Sequence, residues 1–196
     1  MPSSEDAWPR NASRLERALE ALVRTLNERG IRYAIVGGIA LTQHARVRTT
    51  VDIDVLLVVP QLVLPGFLEA LRERGFTIDL KRNISEFRQD GFTALSFDGI
   101  PVDLMQPVIP AFSRVLDTAI SVEMLGQPTR ICSAEGLILM KLAAWRLQDQ
   151  ADVHELLTAY GHDLNLAAIR SEPNTLASPD DARHAQFEAL VRETIG

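Results

Sequence analysis

Two aspartates in an apolar stretch are the residues of this sequence most suited to chemistry. Asp52 and Asp54 lie two positions apart in the strand-forming run 51–59, so their side chains point to one face of the predicted strand. Their attachment points are about 7 Å apart along a strand, which allows two carboxylates to reach one ion or to flank two. Ile53, between them, points the other way into the core.

Like charges on one strand face repel each other, and aspartate is depleted in strand interiors, so these two carboxylates need a positive partner. Mg²⁺ is the leading candidate, because it prefers hard oxygen ligands and is usually held by one or two carboxylates together with substrate phosphates. The alternative is that Asp52 and Asp54 are solvated on an exposed sheet face. The neighbouring residues are nearly all apolar, which favours burial instead.

Thirteen residues separate a double glycine from the first of the two aspartates. Gly37 and Gly38 stand where the predicted strand 31–36 turns into a helix. Glycine at such a place lets a phosphate approach the backbone N–H groups of the helix N-terminus. A tight turn without a ligand is the alternative explanation.

A lysine interrupts a predicted helix that is apolar almost all round. The helix follows Ser133, and within its apolar stretch 137–145 Lys141 is the only charged residue. Lysine is almost never fully buried without a partner. The alternative is that Lys141 extends past an apolar stripe to reach solvent. In either case we expect Lys141→Met to leave the unliganded fold as stable as before, or more stable.

The glycines and aspartates together carry a family resemblance. Val36-Gly37-Gly38, followed by Arg48-x-Thr50-x-Asp52-Ile53-Asp54, resembles the signature of the nucleotidyltransferase superfamily, which has the DNA polymerase β-like fold. The Gly-Gly and R-x-T-x-D-I-D form resembles the AbiEii-type nucleotidyltransferases, toxins of toxin–antitoxin and phage-defence systems. Many superfamily members have serine where this chain has Gly38, so a serine hydroxyl contact to the nucleotide phosphate is missing here.

The resemblance also implies a third carboxylate on a neighbouring strand. Asp103 matches it best, because it alternates with apolar residues in a strand after a predicted hairpin turn. A strand-end aspartate without a ligand is the alternative, and Asp79 and Asp98 are weaker competitors. Asp98 is better explained by the Asp-Gly turn itself.

The helical region after Ser133 carries a looser part of the resemblance. Lys141, Arg146 and Asp152 fit a K-L-x-A-x-R…D-x-x-x-L pattern of AbiEii-type proteins. A continuous helix would hold Lys141 and Asp152 about 16 Å apart. A break near Asp149 is therefore needed to bring both to one cleft.

As the resemblance implies, the metal ligands are Asp52, Asp54 and Asp103, which hold one or two Mg²⁺ ions, and Lys141 joins them as a catalytic residue that neutralises developing charge. Asp103 would help to hold the second ion or act as general base. The residues implied to bind the nucleotide are Gly37, Gly38, Arg48, Thr50 and Asp152.

The implied activity is transfer of a nucleoside monophosphate from an NTP to an acceptor hydroxyl. For a toxin the acceptor is tRNA or protein, and a cognate antitoxin is a possible partner. One alternative is a small-molecule nucleotidyltransferase of the antibiotic-modifying kind. Another is a non-catalytic scaffold that only binds nucleotide or a partner, which the presence of all three aspartates disfavours.

The elements that must position these residues alternate in type along the chain. Helices and strands alternate up to a predicted hairpin of 92–97 and 100–105, a helix over 111–118 and a second hairpin of 120–125 and 128–132. Helices follow over 134–147, 151–160, 163–170 and 180–194. This order predicts a mixed-sheet α/β domain over 12–132, of the nucleotidyltransferase fold by resemblance, with a C-terminal helical lobe over 133–196.

The composition narrows the remaining possibilities. A net charge of −6 over 196 residues argues against a protein coated in positive charge for nucleic acid. The single cysteine, Cys132, excludes an internal disulfide and fits a packed strand residue in the cytoplasm. No apolar run approaches the length of a membrane span. The four histidines have no ligand spacing, although His44 follows the glycines and is a candidate to face nucleotide.

Overall fold

The computed structural model describes residues 7–45, 50–172 and 181–196, with side chains from residue 14 onward. Within these residues the strands, in chain order, are β1 (Arg32–Val36), β2 (Ile53–Val58), β3 (Phe76–Thr77), β4 (Phe92–Phe97), β5 (Ile100–Met105), β6 (Ile120–Met124) and β7 (Gln127–Ile131). They form one mixed sheet in the order β3–β4–β5–β2–β1–β7–β6.

The helices of the same residues are α1 (Ala7–Glu28), α2 (Gly37–His44), α3 (Leu64–Glu73), α4 (Leu80–Asp90), α5 (Pro110–Asp117), α6 (Ala134–Ala144), α7 (Leu147–Tyr160), α8 (Leu166–Arg170) and α9 (Ala182–Thr194). A short 3₁₀ turn follows α7. No helix in this part of the chain combines the length and the hydrophobicity that crossing a bilayer requires.

The two central strands alternate their side chains between two cores. Ile35 and Val55 contact the core that contains α1, α3 and α4. Ala34 and Leu56 contact the core formed by α2 and the helices from α5 onward. The helices that follow β7 therefore pack on one face of the sheet, beside α2.

The mixed α/β architecture that the sequence predicts is confirmed. The first hairpin has the predicted turn, because Asp98 and Gly99 both have positive φ, as a type I′ turn requires. The turn of the second hairpin is at Leu125 and Gly126, one residue earlier than the predicted Gly126-Gln127. The strand predicted over 51–59 is shorter at both ends than expected.

Two helices differ more from the prediction. Ser13 and Glu16 have the spacing of a capping box, which predicts a helix start at Ser13. α1 instead begins at Ala7, so this spacing falls inside the helix. α4, which the sequence pattern left unassigned, is capped by the Asp79 side chain and buries Phe87. Its few apolar positions are separated by charged and polar residues, so periodicity alone gives a weak signal.

Candidate active site

A cleft of about 530 Å³ opens between the sheet and the α6–α7 region. Its polar wall is formed by the first turn of α2, the start of β2 and the middle of β5. The opposite wall combines apolar residues of α5 and α6 with polar and charged residues of α6 and the start of α7. The lining residues are Val36, Gly37, Gly38, Asp52, Asp54, Asp103, Met105, Phe112, Leu137, Met140, Lys141, Ala143, Ala144, Arg146, Gln148 and Asp149.

The sheet register brings three aspartates to this cleft. Asp54 pairs with Val36 of antiparallel β1 and with Asp103 of parallel β5. Residues that are paired across neighbouring strands point to the same face, so the two side chains lie side by side. Asp52 is two residues before Asp54 and lines the same cleft, while Ile53 is fully buried in the opposite core.

Burial and repulsion from neighbouring carboxylates raise the pKa of two of these groups, Asp54 and Asp103. Burial, followed by the charges of Asp52 and Asp103, raises the pKa of Asp54 to about 6, although Lys141 and Arg146 oppose the shift. Burial and the charge of Asp52 also raise the pKa of Asp103. The described side chains of the site therefore carry more negative than positive charge. A bound cation would reduce the repulsion between the carboxylates.

The donor set fits Mg²⁺ on chemical grounds, because it consists of carboxylate oxygens whose charges destabilise one another. Among the described residues, no three His, Cys, Asp or Glu side chains already form a cluster tight enough to hold a metal ion. An ion held here would therefore need substrate phosphates or water to complete its coordination shell, as is common for Mg²⁺.

Gly37 leaves the space that Asp54 occupies. It has φ +62°, and a Cβ built on it would overlap the Asp54 carboxylate. The adjacent Val36 is the N-cap of α2 and is extended, so the chain changes direction at Gly37. The glycine is required here by its own backbone conformation and by the aspartate beside it.

We expect Gly37→Ala to destabilise the protein more than Gly30→Ala does. Both glycines have φ near +60°, so both alanines meet the same left-handed backbone penalty of about 1–2 kcal/mol. Nothing lies within 4 Å of a Cβ on Gly30, whereas a Cβ on Gly37 displaces Asp54, which adds about 1–3 kcal/mol. Denaturant unfolding of both variants measures the difference. Equal losses of stability would contradict the proposed steric role.

Gly38 leaves space for Thr50 in the same way. A Cβ on Gly38 would lie 2.5 Å from the Thr50 Oγ1 atom. That hydroxyl donates a hydrogen bond of 2.7 Å to Oδ1 of Asp52. Thr50 thus orients Asp52, the first of the three aspartates. Its hydroxyl occupies the space that a side chain at position 38 would need.

Lys141 is paired rather than solvated. Its Nζ donates to Oδ2 of Asp152 at 2.6 Å and to Oδ1 of Asp149 at 3.1 Å, and its side chain is 12% exposed. The helix break that permits these contacts is at Trp145 and Arg146, a few residues before the expected position near Asp149. Lys141 lines the cleft together with Asp149.

This pairing reverses the expectation for Lys141→Met. The Asp149 and Asp152 side chains are only 1% and 6% exposed. Removing the lysine would leave two buried carboxylates with less positive charge beside them, which destabilises a fold. The resemblance brings Asp152 to the same cleft as Lys141, but the sequence does not indicate Asp149 as a second partner of the lysine.

Arg146 and Asp149 are cleft residues to which the sequence analysis gave no role. The Arg146 backbone N–H and Nε both donate to Oδ2 of Asp149, at 3.0 and 2.8 Å, at the start of α7. Burial works to raise the pKa of Asp149, but hydrogen bonds from Arg146 and Lys141 outweigh it and hold the pKa below its usual value. An aspartate three residues after a helix N-cap is the signal that could have identified this pair.

Other candidate residues lie away from the cleft. Asp79 caps α4, and Asp98 pairs with Arg17 in the hairpin turn. Both ring nitrogens of His44 are engaged, Nδ1 with the Tyr160 hydroxyl and Nε2 with the carbonyl of Cys132, each at 2.7 Å. The Cys132 side chain is buried, and burial raises the pKa of its thiol. Arg48 lies outside the described residues.

Comparison with known proteins gives a family and a fold. A family model described as "Nucleotidyltransferase of unknown function (DUF6036)" matches residues 13–194. No curated protein sequence matches the chain. A solution structure of the antibiotic-resistance factor ANT(2'')-Ia has a TM-score of 0.54 and 16% identity, and the match covers 90% of this chain and 94% of that chain.

Two crystal structures are also similar. ANT(2'')-Ia in complex with adenylyl-2''-tobramycin has a TM-score of 0.52 and 16% identity, over 87% of this chain and 95% of that chain. An antigenic nucleotidyltransferase-like protein from Paracoccidioides brasiliensis has a TM-score of 0.46 and 17% identity, over 89% and 93%. The crystal structure and the solution structure of ANT(2'')-Ia support the predicted mixed-sheet fold.

Proposed function

This chain belongs to the DUF6036 family of nucleotidyltransferases, and we propose that it moves a nucleoside monophosphate from an NTP to a hydroxyl group of a small, positively charged acceptor. The observation that carries the proposal is the pairing of Asp54 with Asp103 across parallel strands, with Asp52 in the same cleft. In this proposal Asp52 and Asp54 hold Mg²⁺, and Asp103 either helps to hold a second ion or acts as general base. The bound metal would supply the positive charge that the triphosphate and the leaving pyrophosphate require.

The residues of the polar wall bind and orient the substrates. The backbone at Gly37 and Gly38 begins α2, and N–H groups at a helix N-terminus bind phosphate oxygens. Thr50 holds Asp52 in position, and Arg48 would add a further contact to phosphate. The acceptor hydroxyl oxygen forms a bond to the α-phosphorus while the bond to pyrophosphate breaks.

The hydroxyl proton needs a base at that moment. Where Asp103 is not a metal ligand, it is the candidate for this role, because burial and the charge of Asp52 raise its pKa and make it a stronger base than an ordinary carboxylate. Lys141 and Arg146 are the described cations that line the cleft, and they would neutralise charge that develops on the phosphate oxygens.

The charge of the whole chain favours a cationic acceptor. The net charge is −6. A surface with this excess of negative charge attracts cations and repels a polyanion such as tRNA. The crystal structure of ANT(2'')-Ia with adenylyl-2''-tobramycin shows this fold with a nucleotidylated small molecule bound.

Transfer to tRNA or protein by a toxin is the second candidate. The feature that favours it is the resemblance of the Gly-Gly and R-x-T-x-D-I-D motifs to AbiEii-type nucleotidyltransferases. A cognate antitoxin would then be a partner. Both candidates share the nucleotide site and differ only in the acceptor.

One assay separates these functions. The protein is incubated with Mg²⁺ and each α-labelled NTP, together with amine-bearing sugars, uncharged polyols, tRNA or a protein mixture, and Asp54→Asn serves as the inactive control. We expect label on amine-bearing sugars only. Label on tRNA or protein would favour the toxin and contradict the cationic acceptor. Calorimetric NTP binding that does not depend on Mg²⁺, without any transfer, would support the scaffold alternative.

A further inference from the structure

The break between α6 and α7 holds an unfavourable backbone conformation. Trp145 ends α6 with φ +50°, in the left-handed region that a bulky residue rarely adopts. Because of this break, the Nζ of Lys141 lies 2.6 Å from Asp152, a pair that a continuous helix would hold about 16 Å apart. The cleft wall thus depends on a strained residue that must be stabilised from elsewhere.

The stabilising contacts come from the C-terminal helix. The guanidinium of Arg183 in α9 donates from Nη1 to the carbonyl oxygens of Ala143 at 2.9 Å and Leu142 at 3.2 Å. These belong to the last turn of α6, whose carbonyls have no partners within the helix. Asp181 fixes the guanidinium by accepting from Nε and Nη2, each at 2.9 Å.

A second contact from α9 reaches the strained residue itself. The indole N–H of Trp145 donates to the Gln186 side-chain oxygen. Gln186 lies three residues after Arg183, so both side chains are on one face of α9 and meet the same end of α6. The positive charge of Arg183 also suits a helix C-terminus, where the macrodipole is negative.

We infer that α9 is a positioning element of the active site, in which Arg183 and Gln186 hold the α6–α7 break and so fix Lys141 and Arg146 against the cleft. Neither residue touches the cleft, so both act through the break. The inference requires nucleotidyl transfer by this site, but it is independent of the acceptor.

The competing explanation is that Arg183 only attaches α9 to the rest of the protein. Loss of stability alone does not separate the two explanations. The Trp145 environment shows whether the contact of α9 with the break is lost. A change in turnover separates the two explanations, because loss of a mere attachment would leave kcat/KM unchanged at a temperature where the protein is fully folded.

The experiment compares Arg183→Met with Arg183→Lys, and uses Arg192→Met on the same helix as control, because Arg192 is exposed. The chain has two tryptophans, so a Trp8→Phe background assigns the fluorescence to Trp145. Each variant is measured well below its unfolding temperature for Trp145 emission and for kcat and KM with Mg²⁺-NTP.

We expect Arg183→Met to shift the Trp145 emission and to lower kcat/KM at least tenfold, with partial recovery in Arg183→Lys and no change in Arg192→Met. An unchanged emission and an unchanged kcat/KM in folded Arg183→Met would overturn the inference. If Arg183→Met does not fold, Gln186→Met takes its place. The same emission shift is expected, and unchanged emission together with unchanged kcat/KM would again overturn the inference. If no acceptor is found, the Trp145 emission still shows whether Arg183 holds the break. Failure of the proposed function is therefore distinguished from failure of this inference.

Discussion

Replacing Asp54 with asparagine is expected to abolish nucleotidyl transfer and, at the same time, to stabilise the protein at neutral pH. The pKa of Asp54 is raised to about 6, chiefly by burial and then by Asp52 and Asp103. The folded state thus binds this proton more tightly than the unfolded chain does. The stability that this provides is complete below about pH 4 and is lost as the pH rises towards 6.

Above that pH the ionised carboxylate costs the folded protein up to about 3 kcal/mol, from the size of the pKa shift. Asparagine keeps the shape and removes the charge. We expect Asp54→Asn to be about 1–3 kcal/mol more stable than the natural protein at pH 8, with little difference at pH 4.

Urea unfolding between pH 4 and pH 8 measures both values, and Asp98→Asn, in an exposed turn, is the control for loss of a carboxylate. Activity should fall by at least about a thousandfold, because one of the proposed metal ligands is lost. Mg²⁺ should raise the unfolding temperature of the natural protein but not of the variant. A variant that is less stable at pH 8, or that keeps its turnover, would refute the assignment of Asp54.

Lys141→Met is expected to damage both stability and activity. Its Nζ contacts Asp149 and Asp152, which are both buried, and removing one partner of a buried ion pair costs about 3–5 kcal/mol. If the lysine also neutralises charge on the phosphate in the transition state, kcat/KM should fall by at least about a hundredfold. Lys141→Arg should restore only part of the activity, because a planar guanidinium does not replace a compact ammonium.

A double variant separates the two effects. Adding Asp152→Asn to Lys141→Met removes one uncompensated charge, so part of the lost stability should return while activity stays low. Thermal unfolding and kcat/KM are measured for both single variants and the double. Full activity in folded Lys141→Met would show that the lysine has only a structural role.

The sequence predicts the polar wall of the cleft better than the opposite wall. Asp52 and Asp54 are recognisable because charge is unusual in an apolar strand, and Gly37 because a strand meets a helix there. Asp103 follows from the resemblance, and the hairpin places it on a strand of its own. These features depend on local pattern, which a single sequence records well.

The other wall depends on contacts between distant parts of the chain. No glycine or proline marks the break at Trp145 in the sequence. Its conformation is held instead by Arg183 and Gln186 on the last helix. The resemblance indicates that a break must bring Lys141 and Asp152 together, but not that the break is at Trp145 or that Asp149 is also a partner. α4 was missed for a simpler reason, because charged residues surround its few apolar positions.

The pairing of Asp54 with Asp103 also affects how the chain assembles. β1 and β2 are neighbours in sequence and pair antiparallel, as do β4 and β5, so each pair has mostly short-range contacts. The parallel contact between β2 and β5 joins the two pairs, and it is there that the two carboxylates meet. Their repulsion is therefore absent while the pairs form and arises when they dock. Docking of the two halves should accordingly be the folding step that acid or added salt accelerates, so that the groups proposed for catalysis also set the rate at which the sheet is completed.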